Sequence, residues 1–81
     1  MMLNIDQRVN LLRYYEIDAY RICSFILESE PLAMAAAQHT LLQLLNDEAF
    51  FLKNNTDQTI HTKQLAKKAA IQIHFTHLTT V

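Results

Sequence analysis

The side chains best suited to hold a metal, attack a carbon atom or carry a proton in this 81-residue chain are four histidines, His39, His61, His74 and His77, and one cysteine, Cys23. His74 and His77 stand three residues apart and would share one face of a helix. Two imidazoles fall short of a metal shell, so a third ligand would have to come from His61, Asp57 or another chain. Surface or half-buried histidines are the simpler expectation, with no metal and no other cofactor. Cys23 stands alone, which excludes an intrachain disulfide and a multi-cysteine zinc site. It sits among apolar neighbours and is expected to be a buried, inert thiol. A Cys–His nucleophile pair would also need an oxyanion pocket and a substrate cavity. The chain has no glycine to shape such a turn and is very short for such a cavity, so no enzyme is expected.

Cations beside aromatic or amide side chains offer a second chemistry, the binding of nucleic acid by stacking and phosphate contact. Tyr14, Tyr15 and Tyr20 lie near Arg13 and Arg21, but Glu16 and Asp18 interrupt them, so core packing with solvated tips is the better reading. Lys63 and Lys67 are one helical turn apart, with Gln64 and Lys68 beside them, and they make the better nucleic-acid candidate. They lack an aromatic platform, and a solvated face explains them equally simply. Charge is divided along the chain. Residues 1–48 carry Arg8, Arg13 and Arg21 against seven acids, a net −4, while residues 49–81 carry four lysines against Asp57, a net +3. Such a split suggests either two faces with different partners or halves that neutralise one another on folding.

The elements that must position these side chains are helices. With no glycine and one proline, the chain lacks the means for repeated hairpin turns. It also has no glycine-rich phosphate loop. Residues 4–27 carry Ile5, Val9, Leu12, Tyr15, Ala19, Ile22 and Ile26 every three or four positions, an amphipathic helix capped by Asn4. Glu28, Ser29, Glu30 and Pro31 stop it and start another, since proline suits a first helical turn. The second helix runs to about Leu45 on a seam of Ala33, Ala36, Ala37, Thr40, Leu41, Leu44 and Leu45, thin enough for close approach of another backbone. A short helix over 48–53 brings Phe50 and Phe51. A polar turn, 54–57, precedes a last helix from about Gln58 that covers Ile60, Leu65, Ala66, Ala69, Ala70 and Ile73. Ile71, Ile73 and Phe75 alternate with polar residues as a strand would. Helix is preferred there because nothing else offers a strand partner. The last three residues are expected to fray.

The result is an all-α single domain over residues 1–81, a compact bundle of three main helices plus one short helix. At this size about 60% of the unfolded surface is buried, so stability is thin. The first residues show no basic region followed by an apolar stretch, and no apolar run approaches a bilayer's thickness, so a cytoplasmic protein without membrane contact is expected.

Three stretches resemble a known family, the second conserved region of bacterial RNA polymerase sigma factors, above all the extracytoplasmic-function class. Residues 14–27, with Tyr14, Tyr15, Tyr20, Arg21 and Ile22, resemble its first helix. Residues 33–45, with Gln38, Thr40 and Leu41, resemble the helix that docks on the polymerase clamp. Residues 65–72, with Leu65, Ala66, Lys67, Ala70 and Ile71, resemble the helix that melts promoter DNA and reads its −10 element. The resemblance spans residues 9–75. It implies a transcription-initiation protein that binds core RNA polymerase through Met34, Gln38, His39 and Gln43 and promoter DNA through Lys63, Lys67 and Lys68. Departures are plain. Met34, Ala35 and His39 stand where the family has acidic residues, Lys68 replaces an asparagine, Gln72 replaces an aspartate, and His61 sits where a tryptophan is usual. These 81 residues hold no region resembling the domain that reads the −35 element, so the expectation is a stand-alone, degenerate copy acting with a second sigma-like or regulatory protein. The alternative is a non-catalytic helical interaction module, regulatory or self-associating, that has lost the polymerase contact.

Overall fold

Asn4 starts the first helix as expected. Its side chain accepts from the Gln7 amide at 2.8 Å, and the Gln7 side chain accepts in turn from the Asn4 amide at 3.0 Å, a reciprocal cap. The computed structural model describes residues 3–79, with side chains through Thr76. The helices are α1 (Ile5–Leu27), α2 (Glu30–Leu45), α3 (Glu48–Leu52) and α4 (Asn55–Thr79), and no strand occurs among the described residues. Thr79 is still helical; the fraying expected of Thr80 and Val81 lies outside the described residues.

Each break between helices has a local cause. Glu28 closes α1 in the left-handed region, at φ 53°. That region usually falls to glycine, which this sequence does not have. Pro31 sits in the first turn of α2, where no backbone donor is needed. Asp47 caps α3, and its carboxylate accepts from the Phe50 amide. The last helix begins at Asn55, three residues before the expected Gln58. Asn54 makes this possible, because its side-chain oxygen accepts from the Asp57 amide at 2.8 Å.

α2 returns antiparallel to α1, and the Arg8 side chain donates to the Leu45 carbonyl at the far end. α4 runs parallel to α1. Tyr15 meets Gln58 and Cys23 meets Ala66, both pairs 43 residues apart in sequence. Carried to the end of α1, that register sets Ala70 beside Leu27, so the last turns of α4 reach past the α1–α2 link. The molecule is accordingly a rod of 47 × 21 × 18 Å. α1, α2 and α4 each pack on the other two, so their cross-section is a triangle with one helix at each corner.

The core has two halves. Ala19, Cys23, Leu27, Ala33, Ala36, Ala37, Ala66, Ala69 and Ala70 fill one, and Leu12, Tyr15, Leu44 and Phe50 fill the other. Three residues expected on the buried seams are outside. Ile5 and Val9 are exposed because α2 ends level with Arg8, and α3 meets these turns on the Arg8 side, where Arg8 pairs with Glu48 and lies over Phe51. Ile60 is exposed because α4 turns Gln58 and Thr62 inward, and Ile60 lies about 160° round the helix from Thr62. The Tyr15 hydroxyl explains that choice. It donates to Asn55 Oδ1 at 2.6 Å with Gln58 Oε1 3.0 Å away, while the Gln58 amide donates to the Phe50 carbonyl. Thr62 has no such role. Its hydroxyl is buried without a partner, unlike Thr40, which donates to the Ala36 carbonyl.

Two opposite stability effects follow from this polar interior. Tyr15→Phe leaves the Asn55 and Gln58 side-chain carbonyls without the phenol they share and should cost about 1–3 kcal/mol in urea unfolding. Thr62→Val removes a desolvated, unpaired hydroxyl at constant shape and should raise the same unfolding free energy by about 1 kcal/mol.

Candidate docking groove

The α1–α2 side of the triangle carries a groove of about 590 Å³. The two-residue link at Glu28 and Ser29 forces the helices to run side by side, and Ala33, Ala36 and Ala37 let them approach closely. α1 contributes Glu16, Ile17, Tyr20 and Arg21; α2 contributes Glu30, Met34, Ala37, Gln38 and Leu41. The spacing on α2 places successive turns along one row. Ile17, Tyr20, Met34, Ala37 and Leu41 are its apolar surface, with Ile17 59% and Met34 47% exposed. Glu16, Arg21, Glu30 and Gln38 supply its polar groups. The geometry suits an apolar ridge from another helix and offers no enclosed chamber for a small substrate.

The structure brings together two of the four residues expected at a protein contact. Met34 and Gln38 line the groove. His39 is exposed but about 140° round α2 from Met34, and Gln43 is exposed on the opposite side, about 180° away. Lys63, Lys67 and Lys68 are all exposed on the outer face of α4. Lys67 and Lys68 border a shallow recess of about 420 Å³ with Gln64, Ile71 and Gln72. The groove's α1 wall was not anticipated. Its signal was Ile17, a large aliphatic residue off the predicted seam and one turn from Tyr20 and Arg21.

The remaining chemistry-bearing side chains are dispersed. His39 and His74 are exposed, and half-buried His61 sits with its Nε2 3.7 Å from an Asp47 carboxylate oxygen and its ring 5.8 Å from that of Phe50. The His77 side chain lies outside the described residues. Among the described residues no three His, Cys, Asp or Glu side chains come together as metal ligands. Tyr15 is fully buried and Tyr14 is 65% exposed, edge-on to it, so the three tyrosines do not form one platform. No described helix is long and apolar enough to cross a membrane. No family model, curated protein or solved structure matches the chain.

Cys23 is fully buried between the alanines, with Sγ 3.6 Å from the Ala66 carbonyl, and burial pushes its thiol pKa up. A pKa higher in the folded than in the unfolded state stabilises the fold below the ordinary thiol range, and that contribution is lost as pH rises through it. Stability measured by urea unfolding should therefore decline between neutral pH and pH of about 10, and Cys23→Ala should remove part of the decline. A thiol reagent should label the native protein far more slowly than the unfolded one.

Proposed function

We propose that this chain is a non-catalytic helical interaction module whose α1–α2 groove receives an amphipathic helix of a partner protein. One observation carries this reading: alanines fill much of the interior while large apolar side chains stand outside. Tyr14, Ile17, Phe25, Met34, Leu42, Ile60, Ile71 and Phe75 are all exposed, and Ile17 and Met34 lie in the groove. Exposed apolar surface of this kind is retained where another surface covers it. Glu16 and Glu30 outnumber Arg21 at the groove and favour a helix with lysine or arginine beside its apolar row.

A second reading is transcription initiation with core RNA polymerase and promoter DNA, as the sigma-like residue pattern implies. It is favoured by Met34 and Gln38, which share the groove, and by the exposure of Lys63, Lys67 and Lys68 on α4. His39 and Gln43 would need a different surface of the partner.

Both readings are tested with the full chain. A fluorescent helical peptide with leucines at i, i+4, i+7 and i+11 and flanking lysines should bind, and Met34→Lys with Ile17→Glu should weaken binding by roughly tenfold or more. A peptide that ignores both substitutions would remove the groove from the account. Capture of purified core polymerase, lost in Met34→Lys with Gln38→Ala, would favour the initiation reading. Peptide binding without polymerase capture would leave the interaction module.

A further inference from the structure

The outer face of α4 has the properties that the groove selects for. Ile60, Gln64, Lys67 and Ile71 follow one another at intervals of four, three and four residues, a single row along the helix. Ile60 is 48% and Ile71 38% exposed, so the row has an apolar residue at each end. Lys63 and Lys68 flank it, and no acidic residue follows Asp57. The row from Ile60 to Ile71 spans twelve residues, eleven helical steps of about 16 Å in all. The α2 wall of the groove, from Glu30 to Leu41, also spans twelve residues and has the same length.

The charges on the two surfaces are also free to pair. Among the described residues the Lys or Arg contact with a carboxylate is Arg8 with Glu48, and His61 Nε2 lies 3.7 Å from Asp47, both at the end of the rod where α1 begins. Lys63, Lys67 and Lys68 take part in neither, and nor do Glu16 and Glu30. The acidic first half and the basic last helix thus do not neutralise each other by direct pairing at these positions.

We propose that the partner helix is α4 of a second copy of this chain, so that copies associate head to tail. This inference rests on reading the groove as a helix-docking site. The apolar row of one α4 lies against Ile17, Tyr20, Met34 and Leu41 of the next copy, with its lysines near Glu16 and Glu30. The triangular cross-section decides the form of the assembly. The groove lies on the α1–α2 side and the outer face of α4 lies at the opposite corner, so the two surfaces point away from each other. A contact between unlike surfaces that face apart does not close as a twofold dimer and propagates past it, as an open chain or, where the rotation between copies closes, as a ring.

Sedimentation velocity of the full chain over a wide concentration range tests this. The weight-average sedimentation coefficient of the wild type should keep rising past that of a dimer and should fall with added salt. Lys67→Glu with Lys68→Glu makes both surfaces acidic, and Glu16→Lys with Glu30→Lys makes the groove basic. Each double variant, shown to be folded by circular dichroism, should self-associate roughly tenfold or more weakly. An equal mixture of the two should recover assembly, because each α4 then meets a groove of opposite sign. A wild type that stays monomeric, an assembly that stops at the dimer, or one indifferent to both reversals would overturn the proposal. A monomeric wild type that still binds the lysine-flanked peptide would overturn self-association alone and leave the groove as a site for a different protein. Loss of both would overturn the groove as well.

Discussion

The contact on which this fold depends is the one where three helices meet through side chains no larger than a methyl group or a thiol. Ala19 and Cys23 on α1, Ala33, Ala36 and Ala37 on α2, and Ala66, Ala69 and Ala70 on α4 are all buried in a single cluster. Such surfaces let backbones come close and give many weak contacts, but each alanine removes little apolar area from water. The volume is made up at the other end of the rod, where Tyr15, Phe50 and Leu44 are fully buried. One half therefore sets the spacing of the helices, and the other supplies much of the hydrophobic drive. Leu27 is buried in the alanine half and Ile22, Ile26, Leu32 and Ile73 pack against it, whereas Ile17, Phe25, Met34 and Ile71 stand outside.

Register is set by the polar residues of the wide end rather than by its apolar ones. Alanine faces slide past one another with small penalties. A buried phenol with an amide on either side tolerates far less displacement, because a shift leaves polar groups unpaired. Tyr15, Asn55, Gln58 and the Phe50 carbonyl fix α4 against α1 with an offset that the Cys23–Ala66 contact repeats further along. Gln58 inside requires Ile60 outside, since the two are separated by about 200° of helix. The exposed aliphatic row on α4 is thus linked to the hydrogen bonds that align the bundle.

Helix content and helix ends were legible in the residues. The absence of glycine excluded repeated hairpins, while the Asn4 cap, Pro31 and the polar turn before α4 each acted locally, and the structure places a helix boundary at or within three residues of each of these three. Periodicity found the α2 seam, where Ala33, Ala36, Ala37, Thr40 and Leu44 are buried. It failed for Ile5, Val9 and Ile60, because whether an apolar residue is covered depends on where the neighbouring helix ends and on which polar groups need a partner. The groove was legible only by half. Met34 and Gln38 stood out on α2, but the opposite wall comes from α1, and no spacing within one helix shows which face another helix will leave open. The resemblance of their helix to a polymerase-docking helix groups Gln43 with Met34, but the helix sets them on opposite sides.

The separation of charge along the chain becomes a separation in space through topology alone. α1 and α2 form a hairpin because their link is two residues long, so Glu16 and Glu30 border the same groove. α4 must then take the third corner, parallel to α1, and its packing face is already committed to Thr62, Ala66, Ala69 and Ala70. Lys63, Lys67 and Lys68 are left on the side turned away from the hairpin. Pairing them with the groove acids inside one molecule would require α4 to rotate its alanine face out of the core, and burial of that face opposes the rotation. The bundle holds Lys63, Lys67 and Lys68 apart from Glu16 and Glu30 as a consequence of holding its alanines together.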